Sequence, residues 1–302
     1  MNVIEAKDLT KHYSGKVKAL DKFSIEVEKG KVFSLLGPNG AGKTTFIKLM
    51  LSIVKPTSGA ATILGSNIND PLSRKKIGYL SENHVFPDYL NAEQILFYYG
   101  MMANVAKSDI KKRIPVLLSK VKLSDKKNIK IKKFSKGMLQ RLGTAQALIN
   151  DPEIIFLDEP TDGIDPIGRI EIREILNELR NEGKTIFINS HLLSEVERIS
   201  DEIAILKDGK LIKRGKLENF INDTGSYRIK LVGSKNDLIE EYARSKNIEV
   251  NFEKGYYKLG SNDLTQLNKL IDELRSNEIM ISEISPIKET LEDYFIKIIG
   301  EN

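Results

Sequence analysis

Nine residues set between two apolar runs, Gly37-Pro38-Asn39-Gly40-Ala41-Gly42-Lys43-Thr44-Thr45, constrain this chain more than any other stretch. They fit the spacing G-x-x-x-x-G-K-[ST] at every position. Val32 to Leu36 before them predicts a buried strand, and Thr44 to Leu51 after them predicts a helix. Gly37, Gly40 and Gly42 let the backbone turn its N–H groups inward, and such a ring of donors cradles an anion. Lys43 adds a point charge for the outer phosphates, Thr44 offers a hydroxyl to Mg²⁺, and the helix points its positive end at the same place. The alternative is a plain glycine-rich turn between strand and helix, and the match at every position with these flanks argues against it.

The 302 residues predict about two domains, each with apolar content enough for a core. The absence of Cys removes disulfides, thiolate metal sites and cysteine nucleophiles together, and three His argue against a dedicated zinc site. No window approaches 18 consecutive apolar residues, and Met1 to Leu20 carries charges throughout. The expectation is a soluble chain, neither secreted nor membrane-spanning by itself. Its net charge of +5 is uneven: residues 226–302 hold 11 Lys and Arg against 14 Asp and Glu. The basic excess therefore lies in the first 225 residues. It is densest from Lys107 to Lys133, where only Asp109 and Asp125 oppose the lysines and Arg113. Such a run reads as a solvated helical face, or as a surface held near anionic lipid or nucleic acid.

Val3 to Ala6 and Phe23 to Val27 read as strands, the second alternating apolar and polar. Tyr13 falls in the loop between them, either packed under the sheet edge or free to stack on a base. Ile77 to Leu80 is a strand ending at Ser81-Glu82, and from Asn91 the pattern is helical for about sixty residues. Pro115 starts or kinks a helix there. In Phe134-Ser135-Lys136-Gly137-Met138-Leu139-Gln140, Ser135 has the chemistry of a helix N-cap. Ile154 to Leu157 is an apolar strand ending in Asp158-Glu159, and Thr185 to Asn189 is a strand followed by Ser190-His191. Carboxylates at strand ends beside a phosphate loop can hold Mg²⁺ and orient a water. Asp208-Gly209 predicts a hairpin. Asn222 to Ser226 reads as a linker, and the order after it, β-α-β-β-α-β, predicts a ferredoxin-like unit closed by an amphipathic helix from Leu291 to Ile299.

Taken in order, the phosphate loop, the Phe134 to Gln140 stretch, Asp158-Glu159, Gly163-Ile164-Asp165 and His191 resemble the nucleotide-binding subunit of ATP-binding cassette (ABC) transporters over roughly residues 1–225. The resemblance implies an α/β P-loop NTPase (RecA-like) core with an antiparallel β subdomain and a helical subdomain at about 88–150. A small α+β, ferredoxin-like domain would occupy residues 226–302. It implies ATP and Mg²⁺ as cofactors, with the whole loop Gly37, Pro38, Asn39, Gly40, Ala41, Gly42, Lys43, Thr44 and Thr45 on phosphate. Thr44, Asp158 and Glu82 fall at metal positions. Glu159 falls at the catalytic carboxylate, with His191, Lys43 and Glu82 at further catalytic positions. Tyr13 would stack on adenine, while Ser135 and Gly137 would close over the nucleotide of a second cassette.

The sequence departs from the family at two places. Glu82 stands where Gln is usual, and Phe134, Lys136 and Met138 replace three positions of the L-S-G-G-Q signature. The tail, with Thr290 to Phe295, looks like the domain appended to bacterial export subunits. The implied protein is an ATPase held at the cytoplasmic face of the membrane by separate permease subunits, working as a homodimer or with a related cassette, with no nucleic-acid partner expected. The rival expectation is a soluble ABC ATPase acting on ribosomes or nucleic acid.

Overall fold

The computed structural model describes residues 1–13, 18–221, 223–232, 237–246, 248–260 and 264–300. The chain divides into two compact units, Met1–Leu217 and Glu218–Asn302.

In the larger unit, β1 (Asn2–His12) and β2 (Lys18–Glu28) pair antiparallel, with Ala6 opposite Ile25. Phe23, Ile25 and Val27 are buried while Ser24, Glu26 and Glu28 are exposed, the period-two burial of a sheet with one wet face. β3 (Val32–Leu36) is buried at every residue and runs into the glycine loop, after which α1 (Lys43–Met50) begins. β4 (Ser58–Ile63) adds to β1, and β5 (Ser66–Asn67) adds to β4. β6 (Ile77–Leu80) then returns to the central sheet.

Three helices follow: α2 (Ala92–Met102), α3 (Lys107–Lys120) and α4 (Lys136–Ala147), with two short 3₁₀ turns between the last two. Asn91 and Gln94 form a reciprocal capping box that starts α2. Pro115 lies inside α3 and neither begins nor ends it. β7 (Ile154–Asp158), α5 (Pro166–Asn181), β8 (Thr185–Ser190), α6 (Leu193–Ile199), β9 (Glu202–Lys207) and β10 (Lys210–Lys216) complete the unit. Asp208 and Gly209, both at positive φ, make the β9–β10 hairpin turn.

The six-stranded sheet has the order β10-β9-β3-β8-β7-β6. β3, β6, β7, β8 and β9 are parallel, so the segments leaving β3, β6, β7 and β8 emerge on one edge. The register fixes their heights: Leu36 lies opposite Ser190, Asp158 opposite Asn189, and Leu80 opposite Leu157. Ligands of open α/β sheets bind at this edge.

The smaller unit holds β11 (Asp223–Leu231), α7 (Asp237–Ser245), β12 (Glu249–Glu253), β13 (Tyr256–Gly260), α8 (Leu264–Ser276), β14 (Ile281–Lys288) and α9 (Leu291–Gly300). Its sheet order, β12-β13-β11-β14 with every neighbour antiparallel, is the ferredoxin-like arrangement. Ile229, Leu231, Ile239, Tyr257, Leu259 and Leu270 are among its buried core. The expected linker is not one. Asn222 lies outside the described residues, but Asp223 and Ser226 already pair with Lys288 and Ile287, so ladder hydrogen bonding overrides the turn-like composition. Phe220 packs edge-on against Tyr294, with ring centroids 5.2 Å apart, so the unit starts ahead of that stretch. Among the described residues no helix is long and apolar enough to cross a membrane.

Candidate functional site

The glycine loop is clamped between strands. A Cβ on Gly37 would sit 2.3 Å from the Leu206 carbonyl oxygen, and one on Gly42, at φ +109°, would sit 2.2 Å from that of Ala19. Neither position has room for a side chain. The clamp aims the first turn of α1 at the carboxyl edge of the sheet. Lys43 is buried there, its Nζ donating to the carbonyls of Gly37 at 2.6 Å and Pro38 at 3.2 Å. Burial lowers its pKa below the usual lysine value, while Glu159, Asp158 and Glu82 pull it back up. Among the described residues its only hydrogen-bond acceptors are the loop's own carbonyls, so this cation is poised for an anion.

The acid pair splits in direction. Asp158 ends β7 and is buried; its Oδ1 accepts from Asn189 Nδ2 at 3.0 Å and from Thr44 Oγ1 at 3.4 Å. Asn189 thus holds the carboxylate against the helix that carries Thr44, and its own buried Oδ1 has no hydrogen-bond partner among the described residues. Glu159 follows with a left-handed backbone, φ 51°, and its N–H donates to the Asn189 carbonyl at 2.9 Å. That turn reverses the side chain relative to Asp158. Glu159 Oε2 accepts from the His191 N–H at 3.2 Å and lies 2.9 Å from His191 Nδ1. Burial pushes the Glu159 carboxyl above the ordinary glutamate value, and the contact with His191 opposes that. The hydroxyl of Tyr79, one strand over, is pushed up to about 12 by burial and by the charges of Asp158 and Glu82.

A cavity of about 350 Å³ joins these groups, lined by the loop from Asn39 to Thr45 with Glu82, Glu159, Asp162 and His191. Asp162 Oδ1 is 3.8 Å from His191 Nε2, and Asp162 Oδ2 is 3.4 Å from Lys136 Nζ. Among the described residues no cluster of three or more His, Cys, Asp or Glu could hold a metal. A hard cation here needs phosphate oxygens beside Thr44, Asp158 and Glu82, which suits Mg²⁺ carried with a nucleotide. The buried ammonium and the hydroxyl–carboxylate pair fit that group; when bound, the ion would supply positive charge against the phosphates.

Of the expected residues, Gly37, Pro38 and Asp158 adjoin the cavity through their contacts with Lys43 and Thr44 without lining it, and three others have no such contact. Tyr13 is 38 % exposed, with Lys11 Nζ 5.1 Å from its ring centroid. Ser135 is exposed and caps α4 by accepting the Met138 N–H at 3.2 Å, and Gly137 is in the first turn of the same helix. Sequence reasoning missed Asn189 and Asp162. The first had a signal, a polar residue closing the apolar strand Thr185 to Ile188, whereas the Asp162 contacts with Lys136 and His191 have none.

The family model described as ABC transporter matches residues 20–162. An ABC transporter ATP-binding protein of Synechocystis is 39 % identical over 99 % of this chain and 85 % of its own length. The bacitracin transport ATP-binding protein BcrA of Bacillus licheniformis is 37 % identical over 99 % of this chain and 97 % of its own. Among solved structures, the ATP-binding cassette MJ0796, a post-hydrolysis dimer bound to ADP and Pi, aligns with TM-score 0.64 and 27 % identity over 71 % of this chain and 98 % of that one. The chain belongs to the ATP-binding subunits of ABC transporters, P-loop ATPases of mixed α/β fold that use ATP and Mg²⁺.

Proposed function

We propose that this subunit powers export through separate membrane-spanning permease subunits, from the cytoplasmic face, as a dimer that sandwiches ATP. The observation that carries the catalytic reading is the Glu159–His191 pair facing Lys43 across one cavity. In that reading the loop from Gly37 to Thr45 binds the phosphates through its N–H groups and the Lys43 ammonium. Asp158 and Thr44 hold Mg²⁺, and Glu82 contributes a further carboxylate on the metal side. Glu159 orients a water for attack and accepts its proton, and its burial favours proton uptake. His191 holds the Glu159 carboxylate at Nδ1 and through its backbone N–H, leaving Nε2 for the terminal phosphate. Tyr13 offers a half-exposed ring to the adenine.

Ser135 and Gly137 sit outside their own chain's cavity lining, which supports their use on the nucleotide of a second copy. Likeness to BcrA over both units supports export, including a role there for the smaller domain. Glu159→Gln tests the reading: it should retain ATP, accumulate as a nucleotide-bound dimer in light scattering, and hydrolyse about 10²–10⁴-fold more slowly. Normal turnover in that variant would remove Glu159 from its role.

A further inference from the structure

Part of the basic run between Lys107 and Lys133 lines a slot against α5. Lys112, Val116 and Lys120 are spaced one helical turn apart in α3, with Arg113 and Leu117 beside them, so all five lie on one side of the helix. Across from them stand Leu148 and Asp151, which follow α4, and Leu179, Glu182 and Lys184 at the end of α5 and just beyond it. The space between is about 320 Å³. Its floor is apolar: Leu117, Leu148 and Leu179 are buried, and Val116, 61 % exposed, forms a lip. Ligand pockets have this character, mostly apolar with a few placed polar groups, and the slot stands at the small end of their range of volumes.

The charged residues around that floor are four cations and two carboxylates, and their pairing is uneven. Lys184 is bonded to Asp151, and Lys120 is bonded to Glu182 and, at 3.0 Å, to Glu178. Both carboxylates of the slot are therefore taken. Lys112 and Arg113 make no ion pair among the described residues. Arg113 gives one donor, Nη1, to the Ile149 carbonyl at 2.8 Å, out of the five that a guanidinium carries. The slot thus joins an apolar floor to two adjacent cations that lack a counter-charge.

We propose that this slot binds a single-chain amphiphile with a small anionic head, of the medium-chain carboxylate class, its tail over the three leucines and its head on Arg113 and Lys112. A guanidinium fork meets a carboxylate through two parallel hydrogen bonds, and the neighbouring ammonium adds a point charge. A phosphodiester strand would meet the cations but leave the apolar floor uncovered, and a neutral chain would cover the floor but leave the cations unpaired. The slot shares no lining residue with the nucleotide cavity. Its failure and the failure of the transport reading are therefore separable.

The test is isothermal titration calorimetry of the full chain with hexanoate, octanoate and octanol. Octanoate should saturate at one molecule per chain, and affinity should rise about fourfold per CH₂ from hexanoate to octanoate as more of the floor is covered. Octanol, which has the tail without the charge, should bind about tenfold or more weakly than octanoate. Arg113→Gln should cost octanoate about tenfold or more for the same reason. Lys112→Gln, at an exposed position that leaves the fold intact, should cost roughly two- to fivefold. Val116→Trp fills the slot from its exposed lip and should abolish the one-to-one binding. Lys112→Gln and Val116→Trp should hydrolyse ATP as the parent does, since neither residue lines the nucleotide cavity. Equal affinity for octanol and octanoate would overturn the proposal, as would unchanged octanoate binding in Val116→Trp. Uptake of many octanoate molecules per chain without saturation would also overturn it, as adsorption to the surface at large.

Discussion

The backbone at Glu159 is where the site is decided. Asp158 and Glu159 are neighbours in sequence, yet the left-handed φ at Glu159 sends one carboxylate to Thr44 and the other to His191. A non-glycine residue in that region costs of order 1–3 kcal/mol and persists only where surrounding contacts fix it, here the N–H bond to Asn189. The raised pKa of Glu159 gives a test of sign. Because the folded protein holds this proton more tightly than the unfolded chain, the ionised form costs stability above the raised value, and the cost fades as pH falls below the ordinary 4.5. In the absence of nucleotide, Glu159→Gln should therefore melt above the parent at neutral pH, and the difference should vanish in acid. A lower melting point for the variant at neutral pH would mean that the His191 contact outweighs burial. A second substitution probes the carboxylate on the other side: Asn189→Ala removes the 3.0 Å bond and leaves the Asp158 carboxylate the 3.4 Å contact to Thr44. We expect about a 10–100-fold loss in metal affinity or activity, as for other groups that orient a ligand without touching it, read as a higher Mg²⁺ requirement at unchanged fold.

At the scale of elements, the helical subdomain is joined to the sheet through close backbone approaches that allow no side chain. Gly78 in β6 faces the end of α4, where a Cβ would lie 2.1 Å from the Ala147 carbonyl oxygen and 3.0 Å from the Pro152 side chain. Gly78→Ala should push α4 off the strand and cost about 1–3 kcal/mol, as overpacking does elsewhere; a calorimetric midpoint unchanged within error would contradict this. Such contacts were not legible in the sequence. What was legible is what local spacing encodes: the glycine loop between strand and helix, the acids at the end of an apolar strand, the Asp208-Gly209 hairpin and the β-α-β-β-α-β order. Asn222 to Ser226 misled because its composition is turn-like, while the pairing of β11 with β14 is a long-range property. Asp162 was missed for the same reason: its meaning comes from Lys136 and His191, 26 and 29 positions away in the chain.

At the scale of the molecule, the residues proposed for nucleotide chemistry all lie in Met1–Leu217, but they do not all share one cavity. The Asn39 to Thr45 loop, Glu82, Glu159 and His191 share one cavity, whereas Ser135 and Gly137 are at the exposed start of α4. In the proposed dimer the latter pair meets the nucleotide of a second copy, and that reading makes a concentration-dependent claim. Hydrogen exchange on Glu159→Gln with ATP and Mg²⁺ should show protection in peptides covering 37–45 and 158–162 at any protein concentration that saturates nucleotide. Protection over 134–139 should appear only as the dimer forms, and should fall in step with it on dilution. If 134–139 is protected equally in dilute, monomeric protein, Ser135 and Gly137 act on their own chain and the sandwich is the wrong arrangement for this subunit.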